Sequence, residues 1–294
     1  MRKSPSELYH RLTSRQHGMA QFTPEPNENL DIEYQKIGVS IGDVGIWHEG
    51  SFEVLFNACW PATHSINGVH GVPADFAPFL LHNHDISRRA YHSPGSIIAN
   101  GKVSELTFDL GASSVVTPLF PTTLGSSFTI KFHSKEAAVL VLPEGASRQN
   151  LLPVENFRAH ARRYSPQWYK FARDCLPSTG SLFVVTGCDK TTSWGIATAS
   201  TMSGSVGFSL KFTVVGFAET TLAPKYQWKD FGAATIRTSG ENPLSTENQC
   251  IFVRGFFCAE KDTCSYIHCE QNSCPGSGFS AAETRWSRSA GTLD

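Results

Sequence analysis

The sequence predicts an α+β fold in a single domain, with a mostly antiparallel, twisted β-sheet and a few packed helices. Three observations favour it. Charged residues are only 17% of the chain, while 20 Phe, 24 Gly and 16 Pro favour strands and turns over long surface helices. Apolar and polar residues alternate along several short segments. A sustained helical stripe occurs in one region.

Strand-like segments follow one another along most of the chain. The most regular is Ser205–Phe217, where apolar and small polar residues alternate as in a half-buried antiparallel strand. The loop Met202–Gly204 would join it to Trp194–Ser200 in a hairpin. The apolar segments Leu182–Lys190 and Asn248–Phe256 are expected to be neighbours in the core of the sheet. Other predicted strands are Ile37–Ile46, Phe52–Phe56, Lys102–Leu110, Ser114–Leu119, Ser126–Phe132, Ala137–Leu142 and Tyr226–Thr238.

The helical region precedes the central strand. Val154–Arg163 is a first helix candidate. A second helix is predicted to begin at Ser165, a good N-cap, because Pro166 needs no N–H at the first helical position. Apolar residues then recur at helical spacing on one face. They are Trp168, Phe171, Cys175 and Leu176.

The chain divides into three predicted parts. Residues 1–30 are expected to form a flexible N-terminal arm, in which a short amphipathic helix around Glu7–Leu12 precedes a polar linker, Thr23–Asn29, with two nearby prolines. Residues 31–257 form the α+β domain, and residues 258–294 form a cysteine-containing tail. Within the domain, residues 60–100 are rich in Pro, His, Asn and Gly, which predicts a long loop region with little regular structure.

Charge and composition narrow the location and the partners. The formal net charge is −1, which gives no electrostatic reason to expect a nucleic-acid partner. The polar, basic residues 1–21 lack the apolar core of a secretory signal. No window approaches the roughly 18 apolar residues of a spanning helix. A cytoplasmic location is therefore expected, and the eight cysteines fit reduced thiols there.

No catalytic motif withstands inspection, which favours a non-enzymatic protein without a cofactor. Gly95–Lys102 resembles a phosphate-binding loop, but it has one residue too many between its glycines, and Val103 replaces the Ser or Thr that binds Mg²⁺. Ser203–Gly207 misses the nucleophile elbow because its first residue is not glycine. Cys188 lies near Lys190, which could lower a thiol pKa, but no histidine is close in sequence and a packed, inert thiol is expected.

A histidine-rich segment, residues 64–92, carries the alternative of a metal-dependent enzyme. His82 and His84 are two residues apart, so they would lie on the same side of an extended chain, and Asp85 could add an oxygen ligand. His82, His84 and His92 are the predicted metal ligands. The opposing interpretation is a proline-rich loop that carries these histidines on its surface.

Four cysteines crowd the C-terminal tail. Cys258, Cys264, Cys269 and Cys274 are separated by five, four and four residues, and His268 lies among them. Structural zinc sites usually contain at least one closer pair of ligands. Two alternatives stay open, a structural zinc site and a set of thiols without metal.

Three segments carry a resemblance to a known family. They read GDVGIWHEGSFEVLFN at Gly42–Asn57, LFVVTGCDKTTSWGIA at Leu182–Ala197 and NQCIFVRGF at Asn248–Phe256. Together with the tryptophan-containing helix before the second segment, they are similar to an uncharacterised protein family of mushroom-forming (basidiomycete) fungi. The similarity covers Ile37–Phe257. It implies a fungal protein of the same fold, and it carries no activity or functional residue with it.

The order of the strands also resembles the pore-forming domain of gasdermins. In both, a strand like Leu182–Thr186 (LFVVT) leads into a long amphipathic hairpin, and a strand like Ile251–Gly255 closes the sheet. The resemblance implies a fungal defence or recognition module that is membrane-active and pore-forming. Its partners would be a lipid membrane and further copies of itself, with membrane association on activation. The candidate hairpin residues are Trp194, Ile196, Val206, Phe208, Leu210, Phe212 and Val214.

A third hypothesis is a small-molecule or glycan-binding protein. Such ligands need exposed aromatic faces, and the candidates are Trp47, Trp60, Trp194 and Trp228. Because tryptophan is mostly a core residue, exposure decides which of them could serve.

Overall fold

The computed structural model describes residues 4–100, 103–109, 127–133, 135–175, 181–200, 208–217, 224–229, 234–240, 246–258 and 264–266. The helices are α1 (Pro5–His17), α2 (Ile32–Ile37), α3 (Ser65–Val69) and α4 (Val154–Cys175), with a 3-10 turn at Asn83–Asp85. The strands are β1 (Met19–Ala20), β2 (Asp43–His48), β3 (Ser51–Asn57), β4 (Ile86–His92), β5 (Ser96–Asn100), β6 (Val103–Asp109), β7 (Ser127–Phe132), β8 (Glu136–Leu142), β9 (Ala146–Leu151), β10 (Leu182–Thr191), β11 (Gly195–Ser200), β12 (Phe208–Phe217), β13 (Pro224–Lys229), β14 (Thr235–Thr238), β15 (Gln249–Cys258) and β16 (Cys264–Tyr266). These strands pair antiparallel, and the predicted α+β class, rich in antiparallel sheet, is confirmed.

The main sheet is centred on β10, whose ten residues are all buried. One edge of β10 pairs with β15 along its whole length, and the other pairs with β2 near its start and β9 near its end. β3 extends the sheet beyond β2, β4 extends it beyond β9, and β1 and β16 pair with β15. The expectation that Leu182–Lys190 and Asn248–Phe256 are neighbours is therefore confirmed. α4 covers this sheet, with Phe157 and Trp168 in one core with Val184.

Two four-stranded sheets pack face to face beside the main sheet. The inner sheet has the strand order β14-β11-β8-β5, and the outer sheet has the order β13-β12-β7-β6. Their facing sides share one core, formed by Phe128, Ile130, Phe132, Val139, Val141, Ala197, Leu210, Phe212, Val214, Tyr226 and Trp228. The other side of the inner sheet packs against α1 and β15, where Tyr9, Leu140, Ile196 and Phe252 lie together. The inner sheet is thus covered on both faces.

The predicted hairpin between Trp194–Ser200 and Ser205–Phe217 is wrong. β11 pairs with β8 and β14 in the inner sheet, whereas β12 pairs with β7 and β13 in the outer sheet. The two strands lie in facing layers, where the missing side chain of Gly195 makes room for the ring of Phe212. Each apolar face is therefore buried across the sandwich. The intervening residues 201–207 lie outside the described part of the chain.

The predicted helix start at Ser165 is also wrong, because α4 runs without interruption through Pro166. A proline inside a helix leaves the carbonyl four residues before it without its N–H donor. That carbonyl belongs to Arg162, and the Ser165 hydroxyl donates to it at 3.2 Å. The Ser165 side chain, predicted as an N-cap, instead provides a hydrogen-bond donor for a carbonyl inside the helix. Leu176, the last residue of the predicted stripe, lies outside the described residues.

The expected flexible arm is ordered over most of its length. α1 begins with a capping box in which the Ser4 hydroxyl accepts from the Glu7 N–H and the Glu7 carboxylate accepts from the Ser4 N–H. Tyr9 is fully buried, and β1 pairs with β15. Gly18 has φ +112°, and a Cβ there would lie 2.6 Å from the Val253 carbonyl oxygen, so the turn into β1 requires glycine. A few apolar residues in a polar segment are sufficient to dock it.

The expectation of a long loop over residues 60–100 is wrong as well. This segment contains α3, the 3-10 turn, β4 and β5. β4 reads ISRRAYH, and most of its side chains are exposed because it pairs with β9 alone among the described strands. An edge strand of this kind has no apolar alternation to reveal it. β9 was not predicted for a similar reason, because its sequence, ASRQNL, is mostly polar. The predicted strand Ser114–Leu119 lies outside the described residues.

Candidate functional site

The outer sheet consists of two hairpin units, each made of two strands that are consecutive in sequence. β6 pairs with β7, β12 pairs with β13, and β7 and β12 lie side by side in the middle. The connecting residues 110–126 and 218–223 lie outside the described part of the chain. Two sequence-local units thus form one antiparallel four-stranded sheet.

The outer sheet has one apolar and one polar face. Its apolar side chains are each at most 9% exposed: Phe128, Ile130, Phe132, Leu210, Phe212, Val214, Tyr226 and Trp228. Its opposite face carries Thr129, Lys131, Ser209, Lys211, Gln227 and Lys229. This alternation is typical of half-buried soluble sheets and also of sheets that face lipid.

The predicted membrane hairpin is divided between two layers. Leu210, Phe212 and Val214 lie on the apolar face of β12 in the outer sheet. Trp194 and Ile196 are fully buried on the opposite side of the inner sheet, in the core with α1 and β15. Phe208 begins β12, although its side chain is not described, and Val206 lies outside the described residues. The alternation in Ser205–Phe217 therefore indicated one strand of the outer sheet, β12, but not the three strands that lie beside it.

The two edges of the outer sheet carry opposite charges. β6 carries Glu105, and β13 carries Lys225 and Lys229, which are four residues apart. Residues four apart in a strand lie on the same face. Glu105 forms an exposed ion pair with Lys131 of β7 at 2.8 Å, which contributes little in water.

Two lysines face each other at the basic edge. Lys211 of β12 lies directly opposite Lys229 of β13. Like charges directly opposite each other on neighbouring strands are destabilising. The basic edge therefore has a site that an acidic side chain would stabilise.

The predicted metal ligands are not brought together. The rings of His82 and His84 stack with centroids 5.3 Å apart at the 3-10 turn, and the side chain of His84 is 81% exposed. Asp85 accepts a hydrogen bond from the His82 N–H at 2.9 Å. His92 is instead buried, with Nε2 lying 3.1 Å from the Asp189 carboxylate. These three histidines do not form one group of ligands.

Within the part of the chain that the structure describes, one group of side chains could hold a metal ion: His17, His92 and Asp189, whose ligand atoms lie within 4.8 Å of one another. Asp189, however, already accepts two hydrogen bonds from Arg148, at 2.9 and 2.7 Å, and one from Arg254 at 2.8 Å. Two guanidinium cations occupy the carboxylate and repel a further cation. The group fits a buried ionic network better than a metal centre.

This network joins distant parts of the chain. It links α1 through His17, β4 through His92, β9 through Arg148 and β15 through Arg254 to the central strand. Burial alone would raise the pKa of Asp189, but hydrogen bonds from His92 and Arg148 and the charges of both arginines lower it to about 2. Burial and the neighbouring cationic groups lower the pKa of His17 to about 4. The sequence signal for this network was Asp189, a charged residue within the apolar segment that forms β10.

The described cysteines are packed. Cys188 is fully buried, and a hydrogen bond with Cys250 lowers its thiol pKa to about 7 against the effect of burial. Burial raises the pKa of Cys250. Neither thiol is accessible to a substrate. In the tail, Cys264 lies opposite Cys258 in the backbone register, while Cys269 and Cys274 lie outside the described residues, so the zinc hypothesis stays a prediction.

The four tryptophans proposed for ligand stacking differ in solvent exposure. Trp194 and Trp228 are at most 1% exposed and belong to cores. Trp60 is half-buried and stacks on His64, with ring centroids 4.1 Å apart. Trp47 is half-buried and lines a groove beside the β2–β3 hairpin.

No family model, curated protein or solved structure matches this chain. Among the described residues, no helix has the length and apolar character needed to cross a bilayer. Function is therefore inferred from the geometry of the outer sheet.

Proposed function

We propose that this chain is a non-enzymatic, membrane-active module that inserts its outer sheet into a lipid bilayer and assembles with further copies of itself. The observation that carries the proposal is the outer sheet, in which two hairpin units form one sheet and the strands β7, β12 and β13 share a buried apolar face. β12 has ten residues, and a tilted strand needs about 9–11 to cross the hydrocarbon core. A fungal defence or recognition role, implied by the two resemblances, belongs to the same proposal.

The apolar face of the outer sheet explains why this sheet would separate from the inner sheet only at a membrane. Fully burying one large apolar side chain contributes about 1.5–3 kcal/mol. The face carries eight such side chains, so exposing all of them to water would cost on the order of 12–24 kcal/mol. Most of that range exceeds the stability of a typical domain, which is about 5–15 kcal/mol. The sheet could leave the inner sheet at small cost only where lipid tails replace the lost contacts.

The edges of the outer sheet suit a second copy of the chain as partner. Because its four strands alternate in direction, β13 of one copy and β6 of the next would pair antiparallel. Glu105 of β6 would then lie near Lys211 and Lys229 at the basic edge of the neighbouring copy. Such a head-to-tail contact adds strands from copy to copy.

Dye leakage from liposomes of phosphatidylcholine and phosphatidylserine tests the membrane activity. The chain is assayed whole and after proteolytic trimming of the tail beyond β16, residues 267–294, because an activation step is part of the proposal. We expect leakage from at least one form. Absence of both leakage and lipid binding in both forms would contradict the proposal.

A charge reversal tests the assembly. Glu105→Lys and Lys229→Glu are each expected to reduce leakage and the size of membrane-bound oligomers, since each places like charges at the contact between copies. The double variant restores opposite charges and should recover both. Glu155→Lys, on the exposed face of α4, is the matched control and should behave as the wild type. Equal effects of all four variants would refute the edge-to-edge contact.

A further inference from the structure

A groove runs between the β2–β3 hairpin, the first turns of α1 and residues 21–30. Its larger part has a volume of about 970 Å³ and is lined by Trp47 and Phe22. A smaller part of about 380 Å³ adjoins it, and both parts are lined by Glu53 and Arg237. These volumes are typical of small-molecule sites, which combine apolar walls with a few polar groups.

Carboxylates dominate the polar lining of this groove. They belong to Glu7, Glu25, Glu28, Glu49 and Glu53. The cation in the lining is Arg237, which pairs with Glu25 at 3.0 Å. No ion pair between described residues neutralises Glu28, Glu49 or Glu53. The groove therefore carries an excess of negative charge.

The histidine His10 does not offset this negative charge. His10 lines the larger part of the groove, and its Nδ1 lies 3.3 Å from the Ala20 carbonyl oxygen. Burial lowers the pKa of His10, so its imidazole is neutral at pH 7 and adds no positive charge.

Arg237 shows how this lining accommodates a cation. Its guanidinium centre lies 5.3 Å from the centroid of the Phe22 ring. It also donates to the Phe22 carbonyl at 2.8 Å and to the Thr23 hydroxyl at 2.7 Å. An aromatic face together with carboxylate and carbonyl oxygens is the environment that binds organic cations. Trp47 provides a second aromatic surface in the larger part.

We propose that the groove binds an organic cation with more than one amine, of the aliphatic polyamine class. Each ammonium group donates hydrogen bonds and accepts none, which matches a lining rich in carboxylate oxygens. The methylene segments between the amines pack on Trp47 and Phe22. Carboxylates in both parts of the groove favour several spaced amines over one. A neutral sugar could stack on the same rings but would leave the negative charge without a counterpart.

Calorimetric titration of the full chain with spermidine tests the proposal. We expect one-to-one binding at low salt that weakens as the ionic strength rises, because exposed charges are screened. Glu28→Gln and Glu53→Gln should each weaken binding, by up to about five-fold, as expected for partly exposed ion pairs. Glu155→Gln, far from the groove in α4, is the matched control and should leave the affinity unchanged.

Three outcomes would overturn the proposal. The first is no binding of spermidine at low salt. The second is equal weakening by Glu155→Gln, which would mean that net charge alone attracts the amine. The third is equal competition by Mg²⁺ or tighter binding of a neutral oligosaccharide, which would mean that the groove does not select an organic cation. Unchanged unfolding curves of the variants would show that folding is not the cause of any loss.

Discussion

Asp189→Asn is expected to destabilise the fold strongly, because it removes the negative charge at the centre of a buried cationic cluster. The Asp189 side chain is fully buried and accepts three hydrogen bonds from Arg148 and Arg254. An asparagine of the same shape keeps one acceptor oxygen and turns an NH₂ group toward the arginines. Both guanidinium groups would then be buried without a counter-charge.

The magnitude follows from two independent considerations. Breaking a buried ion pair by removing one partner costs about 3–5 kcal/mol. The pKa of Asp189 falls from 3.8 to about 2 on folding, and each pKa unit corresponds to about 1.4 kcal/mol, so the folded state favours the charged form by roughly 2 kcal/mol after the cost of burial. We therefore expect a loss of about 2–5 kcal/mol at pH 7.

The sign of the pH dependence follows from the lowered pKa. A carboxyl group with a lower pKa in the folded state stabilises the fold above its unfolded-state pKa. The contribution of Asp189 is therefore complete above about pH 4 and is lost as the pH falls toward about 2. The difference between the wild type and Asp189→Asn should shrink over this range.

Unfolding in guanidinium chloride, followed by tryptophan fluorescence and circular dichroism, measures this difference. Asp31→Asn is the matched control, since Asp31 caps the exposed start of α2 and asparagine caps equally well. The control should change the free energy of unfolding by less than about 0.5 kcal/mol. A loss below about 1 kcal/mol for Asp189→Asn at pH 7, or a loss that does not change with pH, would refute the electrostatic explanation.

Two further predictions concern the backbone. Ser165→Ala should lower the free energy of unfolding by about 0.5–1.5 kcal/mol in the wild type. The loss should be much smaller in a Pro166→Ala background, where the new N–H donates to the Arg162 carbonyl. Equal losses in the two backgrounds, measured by denaturation, would contradict this role of the hydroxyl. Gly255→Ala should lower the melting temperature sharply, because a Cβ there would clash with the backbone of β10, whereas Gly68→Ala in α3 has open space and should be neutral or slightly stabilising. Similar melting temperatures for the two glycine variants would refute the steric argument.

Local pattern was sufficient to predict the fold class and one strand of the candidate site. The alternation in Ser205–Phe217 placed Leu210, Phe212 and Val214 on one apolar face, which is where they lie. The neighbour relation of Trp194–Ser200 could not be predicted in the same way. Alternation states which face of a strand is buried but not which strand lies beside it. The assignment of β11 to another sheet depends on contacts with β8 and β14.

The histidine prediction failed for a related reason. His82, His84 and His92 are close in sequence, and proximity suggested a shared site. The partner of His92 is Asp189, 97 residues away in β10. The edge strand β4 carries His92 into the main sheet, and neither its polar sequence nor its pairing with β9 could be recognised from local periodicity.

The sequence by itself determined properties that depend on neighbouring residues. These include the identity of most strands, the apolar face of β12, the central position of β10 and the capping residues of α1. Each arises from side-chain periodicity or a short-range hydrogen bond, which act over a few residues. Tertiary structure alone decided which strands pair, that α4 continues through Pro166, and that the edges of the outer sheet are oppositely charged. These features depend on contacts between residues far apart in sequence. The free energies of such contacts cannot be deduced from a local sequence pattern.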